Sequence, residues 1–259
     1  MAKKSDATRL KAEQLRAAQA KQDAKTRNIL IAVVSTLVAL TVVLSVWVIW
    51  NSKGKEGATP APTEVTAFAV SADGVGKLRE GVPTVTEYFD YSCHACADVD
   101  GFIGAQINEA VAAGKYNIRF VPVTVVGMSW HYAATNAAAL TYAESPENFV
   151  KFHNSLLSFF KTQFDSKNVS IIQNDQASLA KVKELAKEAG VPDEVIEKFD
   201  AKASTGLLET NRNFWQSNVP EGRENLGTPE FQADNKVIKL SGATVEELYS
   251  NFENAFLTK

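Results

Sequence analysis

Phe89 to Asp100 reads FDYSCHACADVD and holds both cysteines of a 259-residue chain, Cys93 and Cys96. Just before it, Pro83 to Phe89 (PTVTEYF) is mostly β-branched or aromatic and follows Gly81, the composition of a largely buried strand. Beyond it, Val99, Phe102, Ile103, Ile107, Ala110 and Val111 recur at three- and four-residue steps ahead of Gly114, which predicts a helix with a glycine at its C-terminal end. Ile118 to Val125 (IRFVPVTV) is apolar and β-rich again. Strand, helix and strand in that order make a βαβ unit with a parallel pair, so the class is α/β. The cysteines then fall where the first strand hands over to the helix.

Downstream, residues 129 to about 218 read as helical. Phe149, Phe152, His153, Leu156, Leu157 and Phe160 share one face of a helix opened by Ser145 and Pro146. Asp175 to Ala189 gives another, closed by Gly190. The run Ala133 to Ala139 suits close helix packing, and His153 reads as a core histidine. His131, beside Trp130, is the other histidine that a groove near the cysteines could use. After the insert, LGTPEFQADNKVIKL supplies two short strands about a turn at Asp234-Asn235, and Thr244 to Leu257 a final amphipathic helix.

Upstream, Ile29 to Trp50 is 22 residues without a charge, about 33 Å as a helix against a bilayer core of about 30 Å. A buried core helix would carry a polar face, and a cleaved signal peptide would have a shorter apolar run ending in small residues; this run ends in WVIW, with Trp47 and Trp50 as interfacial anchors. The first 28 residues hold eight Lys/Arg against three acids, a balance of +5 that leaves −8 for the rest. This asymmetry places residues 1–28 in the cytoplasm, 29–50 across the cell membrane in contact with lipid, and the rest outside. It also explains the basic tail without invoking nucleic acid. Residues 51–63, polar and rich in Gly, Pro and Thr, suit a tether, and 64–259 form the extracytoplasmic domain.

The position of the Cys-x-x-Cys pair has chemical meaning. A helix N-terminus presents free N–H groups and a positive dipole end, which favour the thiolate of Cys93 over its ordinary pKa of about 8.5. The thiolate is the form that attacks a disulfide. Cys96, one turn on and deeper, suits a resolving thiol. A purely structural disulfide closing four residues would contribute only about 2 kcal/mol, against roughly 3 for a 15-residue loop. Zinc would need about four ligands, and the chain offers three histidines and no second cysteine pair. Two unrelated free thiols fit poorly with an oxidising compartment.

Over most of Val65 to Lys259 the chain resembles the membrane-anchored DsbA-like thiol-disulfide oxidoreductases of Gram-positive, especially actinobacterial, type. The resemblance rests on TVTEYFDYSCHAC, on the helical stretch, and on GTPEF followed by a polar turn and strand. It implies a thioredoxin-like fold with a helical insertion, a Cys93–Cys96 redox-active disulfide, and no cofactor or metal. It implies that Pro229, preceded by Thr228, is a cis proline facing the cysteines. It also implies that Glu87, six residues before Cys93, is a buried proton carrier; read from the residues alone, Glu87 is equally a sheet-edge acid facing water. Between the cysteines stand His94-Ala95 where the family often has Pro-His, which bears on the redox potential. The implied partners are reduced secreted or envelope proteins as substrates and a membrane oxidase that restores the disulfide. The rival readings are a reductase or isomerase with the same site, and a tethered chaperone module whose disulfide is incidental.

Overall fold

The computed structural model describes residues 65–257. The expected cytoplasmic tail, membrane span and linker lie outside the described residues, and among the described residues no helix is long and apolar enough to cross a membrane.

The chain runs β1 (Phe68–Ser71), β2 (Gly74–Val75), β3 (Thr84–Phe89), α1 (His94–Val99), a π-helical turn (Asp100–Gly104), α2 (Ala105–Ala112) and β4 (Asn117–Pro122). Five helices follow: α3 (Ser129–Glu144), α4 (Pro146–Asp165), α5 (Asp175–Ala189), α6 (Asp193–Ile196) and α7 (Thr205–Ser217). The hairpin β5 (Glu230–Ala233) and β6 (Lys236–Ile238) and the helix α8 (Val245–Leu257) complete it. One sheet of order β2-β1-β4-β3-β5-β6 carries them, with β3 and β4 parallel and every other pair antiparallel.

The expected elements are present with local differences. The strand expected over 118–125 is β4, and the helix expected from about Val99 starts five residues earlier and carries a π turn at its middle. The β1–β2 hairpin was not foreseen; four residues, FAVS, give too little alternation to distinguish a strand from a loop. The Asp234-Asn235 turn holds both residues at positive φ, 49° and 61°, the conformation that lets a two-residue loop follow the twist of its strands.

Alternation along β3 decides what faces the site. Tyr88 points to one side, where it stacks on Trp215 of α7 at 5.8 Å within a small cluster that includes Val121 and Val123. Val85 and Phe89 point to the other side, into the large core with Phe120, Phe149, Phe152 and Phe231. Glu87 lies between Val85 and Phe89 at the two-residue period and so faces that same core. Its register partners are Phe120 on β4 and Phe231 on β5.

Candidate active site

β3 ends at Phe89, and three residues later the chain enters α1 with Cys93 as its N-cap, in an extended conformation (φ −91°, ψ 118°). The turn between them is built on Asp90, whose side chain is fully buried. One carboxylate oxygen accepts from the Ser92 N–H at 2.7 Å; the other accepts from the N–H groups of Val125, Val126 and Gly127 at 2.9, 2.8 and 3.1 Å. Three of these four backbone donors tie the cysteine loop to the segment after β4, and the fourth closes the loop on itself. Carbonyl and amide add to this, the Cys93 N–H donating to the Asp90 carbonyl at 2.9 Å. His131 joins the same knot: its Nδ1 lies 3.1 Å from the Tyr91 nitrogen and 3.1 Å from an Asp90 oxygen. It is wholly buried and does not line a groove, and burial, opposed by Asp90, holds its pKa below the ordinary value.

The two thiols differ as their spacing predicts, with one correction. Cys96 is fully buried, whereas Cys93 retains 8% of its surface, less than an exposed helix start implies. The physical reason is the loop before β5, which folds over it: the Cys93 thiol donates to the Thr228 carbonyl at 3.2 Å. The thiol of Cys93 is lowered to about 6, chiefly by a hydrogen bond from Cys96, with the Thr228 side chain and the Cys96 backbone N–H adding to it against the cost of burial. The Thr228 hydroxyl is buried and has no other partner among the described residues, so it can donate to a thiolate while the carbonyl serves the protonated thiol. Cys96 is raised well above its ordinary value by burial, and by the same hydrogen bond seen from the donor's side. The expected help from the helix terminus is therefore secondary to the partner thiol.

The Thr228-Pro229 peptide bond is cis. Ala95 and Val99 of α1 face Thr228 and Pro229 across a groove of about 650 Å³ that continues along Val237 and Ile238 of β6. Behind this loop stands a buried ion pair that the residue pattern did not reveal. Arg223 donates to both oxygens of Glu230, each at 2.7 Å, and to the Trp215 carbonyl at 2.7 Å; the Trp215 indole N–H also donates to Glu230 at 2.8 Å.

His94 is engaged on the opposite flank. Its Nε2 lies 2.8 Å from Asp165 of α4, its Nδ1 lies 3.3 Å from Asp98, and its ring stacks on Phe164 at 4.5 Å. Lys161 bridges the same two carboxylates.

Beneath the pair, Glu87 is 7% exposed, which excludes a sheet-edge acid facing water. Burial raises it well above the usual carboxylate range, with Asp100 and Cys93 adding to the effect. His153, as expected, is in the core; Tyr91 donates to or accepts from its Nδ1 at 2.7 Å, and burial lowers it to about 3. The sequence reading missed Asp90, Asp100 and the Arg223–Glu230 pair. For Asp100 a signal existed: Cys93, Cys96 and Asp100 follow the three- and four-residue steps that put side chains on one helix face.

The thioredoxin family model matches residues 79–248. The chain belongs to the thioredoxin family. Three solved structures share its fold: MdbA, a thiol-disulfide oxidoreductase from Actinomyces oris (21% identity, 77% of this chain and 92% of that chain, TM-score 0.59), BdbD from Bacillus subtilis (20%, 74% and 94%, 0.54) and MdbA from Corynebacterium diphtheriae (17%, 69% and 90%, 0.51). Among curated proteins none matches. The fold is thus thioredoxin-like with a DsbA-like helical insertion. In a thioredoxin-family chain, this dithiol at the start of α1 has the arrangement that thiol-disulfide exchange needs.

Proposed function

We propose that the protein is a membrane-tethered oxidase that passes its Cys93–Cys96 disulfide to secreted and envelope proteins as they fold outside the cell. The observation that carries the direction of transfer is the split between the thiols, Cys93 lowered to about 6 and Cys96 raised. A dithiol whose reduced form is stabilised as a thiolate has an oxidising disulfide. The tether rests on residues 29–50 and the charge excess before them.

In the reaction a substrate thiolate attacks the Cys93 sulfur, which carries the remaining exposure of the pair. The Cys93–Cys96 bond breaks, a substrate–Cys93 bond forms, and Cys96 leaves as a thiolate that takes up a proton, for which Glu87 is the buried donor. The substrate's second thiolate then attacks the substrate sulfur of this mixed disulfide and expels Cys93 as a thiolate. The substrate has lost two electrons and the enzyme holds them, so a membrane oxidase must remove them. The groove beside Thr228 and Pro229, with Ala95 as part of its wall, receives the substrate chain.

The redox potential measured against glutathione tests this. A value near or above about −180 mV is expected, and one near about −270 mV would make the protein a reductase. Cys96→Ala should accumulate mixed disulfides with secreted proteins on non-reducing gels, and Cys93→Ala almost none; equal trapping would refute the division of roles. Protease added outside intact spheroplasts should remove the domain and spare the tail.

A further inference from the structure

Cys96 has no surface, yet every exchange cycle needs a proton to reach it and leave it. The Glu87 carboxyl bears on the Cys96 thiol, and it too is closed in, between Phe120 and Phe231. A cavity of about 10 Å³ opens from Glu87, the room that one water molecule needs. Its lining includes Glu87, Asp100, Asn108 and Asn154, with Phe120 and Phe231 at the sheet. Asp100 is partly exposed, so it spans the distance from this cavity to the surface. Neither carboxyl has a hydrogen-bond partner among the described residues, unlike Asp90, which accepts several.

The backbone is shaped to hold Asp100 there. It opens the π turn, a wider coil that interrupts the helix between α1 and α2. Its carboxyl folds back over Gly104, where a Cβ would lie 2.5 Å from Asp100 Oδ1. Only glycine leaves that position free for the carboxyl.

We propose that Asp100 is the outer station of a proton path running from solvent through the cavity to Glu87 and Cys96. This rests on the reading of Cys93 and Cys96 as an exchanging pair. When Cys96 leaves the disulfide as a thiolate, Glu87 gives it a proton and is reprotonated from Asp100. In the reverse step Cys96 loses its proton to Glu87, which passes one to Asp100 and on to solvent, while the Cys96 sulfur attacks Cys93 and expels the bound thiolate. Asp100 acts through Glu87, not on sulfur. Burial pushes Asp100 up to about 7, so it changes protonation in the range where the cycle runs. The ionisable groups bearing on the pair are each other, Tyr91, Cys93 and Cys96; across the cavity β4, β5 and α4 present Phe120, Phe231 and Asn154, none of which titrates, and the Lys161 stem of α4 packs on Gly101 with its ammonium held by Asp98 and Asp165.

The test is the closure rate of a mixed disulfide. Reduced full-length protein in detergent is mixed with oxidised glutathione, quenched in acid at intervals, and the reduced, glutathionylated and closed forms are counted by mass spectrometry from pH 5 to 9. In the glutathionylated form Cys93 has no proton to lose, so the profile reports the Cys96 side. Wild-type closure should bend near pH 7. Asp100→Asn should lose that bend and close about tenfold more slowly at pH 8, within the range of proton-transfer effects. Gly104→Ala, which keeps the acid but displaces it, should do the same. Variants that both retain the wild-type profile would overturn the path while leaving the exchange reading intact. A wild-type protein that forms neither the glutathione adduct nor the closed disulfide would overturn both.

Discussion

Two charged networks stand beside the active-site residues, one behind the Pro229 loop and one around His94, and they differ in burial. On the Pro229 side, Arg223 and Glu230 have side chains only 5% and 6% exposed, and every oxygen of Glu230 is hydrogen-bonded. On the insert side, Lys161 pairs with both Asp98 and Asp165 beside His94, while the three side chains remain 32%, 26% and 47% exposed. Water competes for the second set and not for the first. Charge pairing therefore carries unequal consequences on the two sides: a half-broken buried pair leaves a bare charge in the interior, whereas a half-broken surface pair is resolvated.

Arg223→Ala should give the largest effect, about 3–5 kcal/mol lost in urea denaturation, because Glu230 is left buried without its cation. The double variant Arg223→Met with Glu230→Gln should recover most of that loss, and if it does not, the cost lies in packing against Trp215 and not in charge.

The second experiment measures how strongly the fold holds the Cys93 thiolate. Its folded pKa, about 6, lies below the ordinary thiol value of about 8.5. The thiolate therefore stabilises the reduced fold fully above the unfolded pKa, and the contribution is lost as pH falls through 6. The stability difference between reduced wild type and Cys93→Ala should accordingly grow by about 1.4 kcal/mol per pH unit between about pH 6 and about pH 8.5. A flat difference would mean that the thiolate is not held.

Smaller still is Thr228→Val, which removes the hydroxyl and keeps the carbonyl and the shape. The Cys93 thiolate absorbance should titrate about one pKa unit higher, roughly 1.4 kcal/mol, with the groove unchanged. Lys161→Ala should be the smallest. Its denaturation midpoint should be inseparable from wild type at physiological salt, and a clear loss of stability there would end the contrast between the two networks.

Much of this was legible along the chain because it depends on local patterns. Alternation and β-branching mark β3, helical steps mark α4 and α5, and Asn174 and Gly190 bound α5 as cap residues do, the Asn174 side chain accepting from the Ala177 N–H at 2.9 Å and Gly190 adopting φ 97°. The cysteine spacing and its place after a strand announce a reactive pair before any coordinate is consulted. Glu87 was the ambiguous case: a single acid in a strand can face water or the core, and only the pairing of β3 between β4 and β5 made its position interior.

What the sequence by itself determined is the order of elements and the identity of the two thiols, since both follow from periodicity and from residue types a few positions apart. Tertiary structure decided the electrostatics. Arg223 meets Glu230, Asp90 collects the N–H groups of Val125 to Gly127, Thr228 reaches Cys93 from 135 residues away, and Asp100 shares a cavity with Glu87. Each of these depends on the distance and the dielectric between groups remote in sequence, and neither quantity exists until the sheet has closed and excluded water from around them.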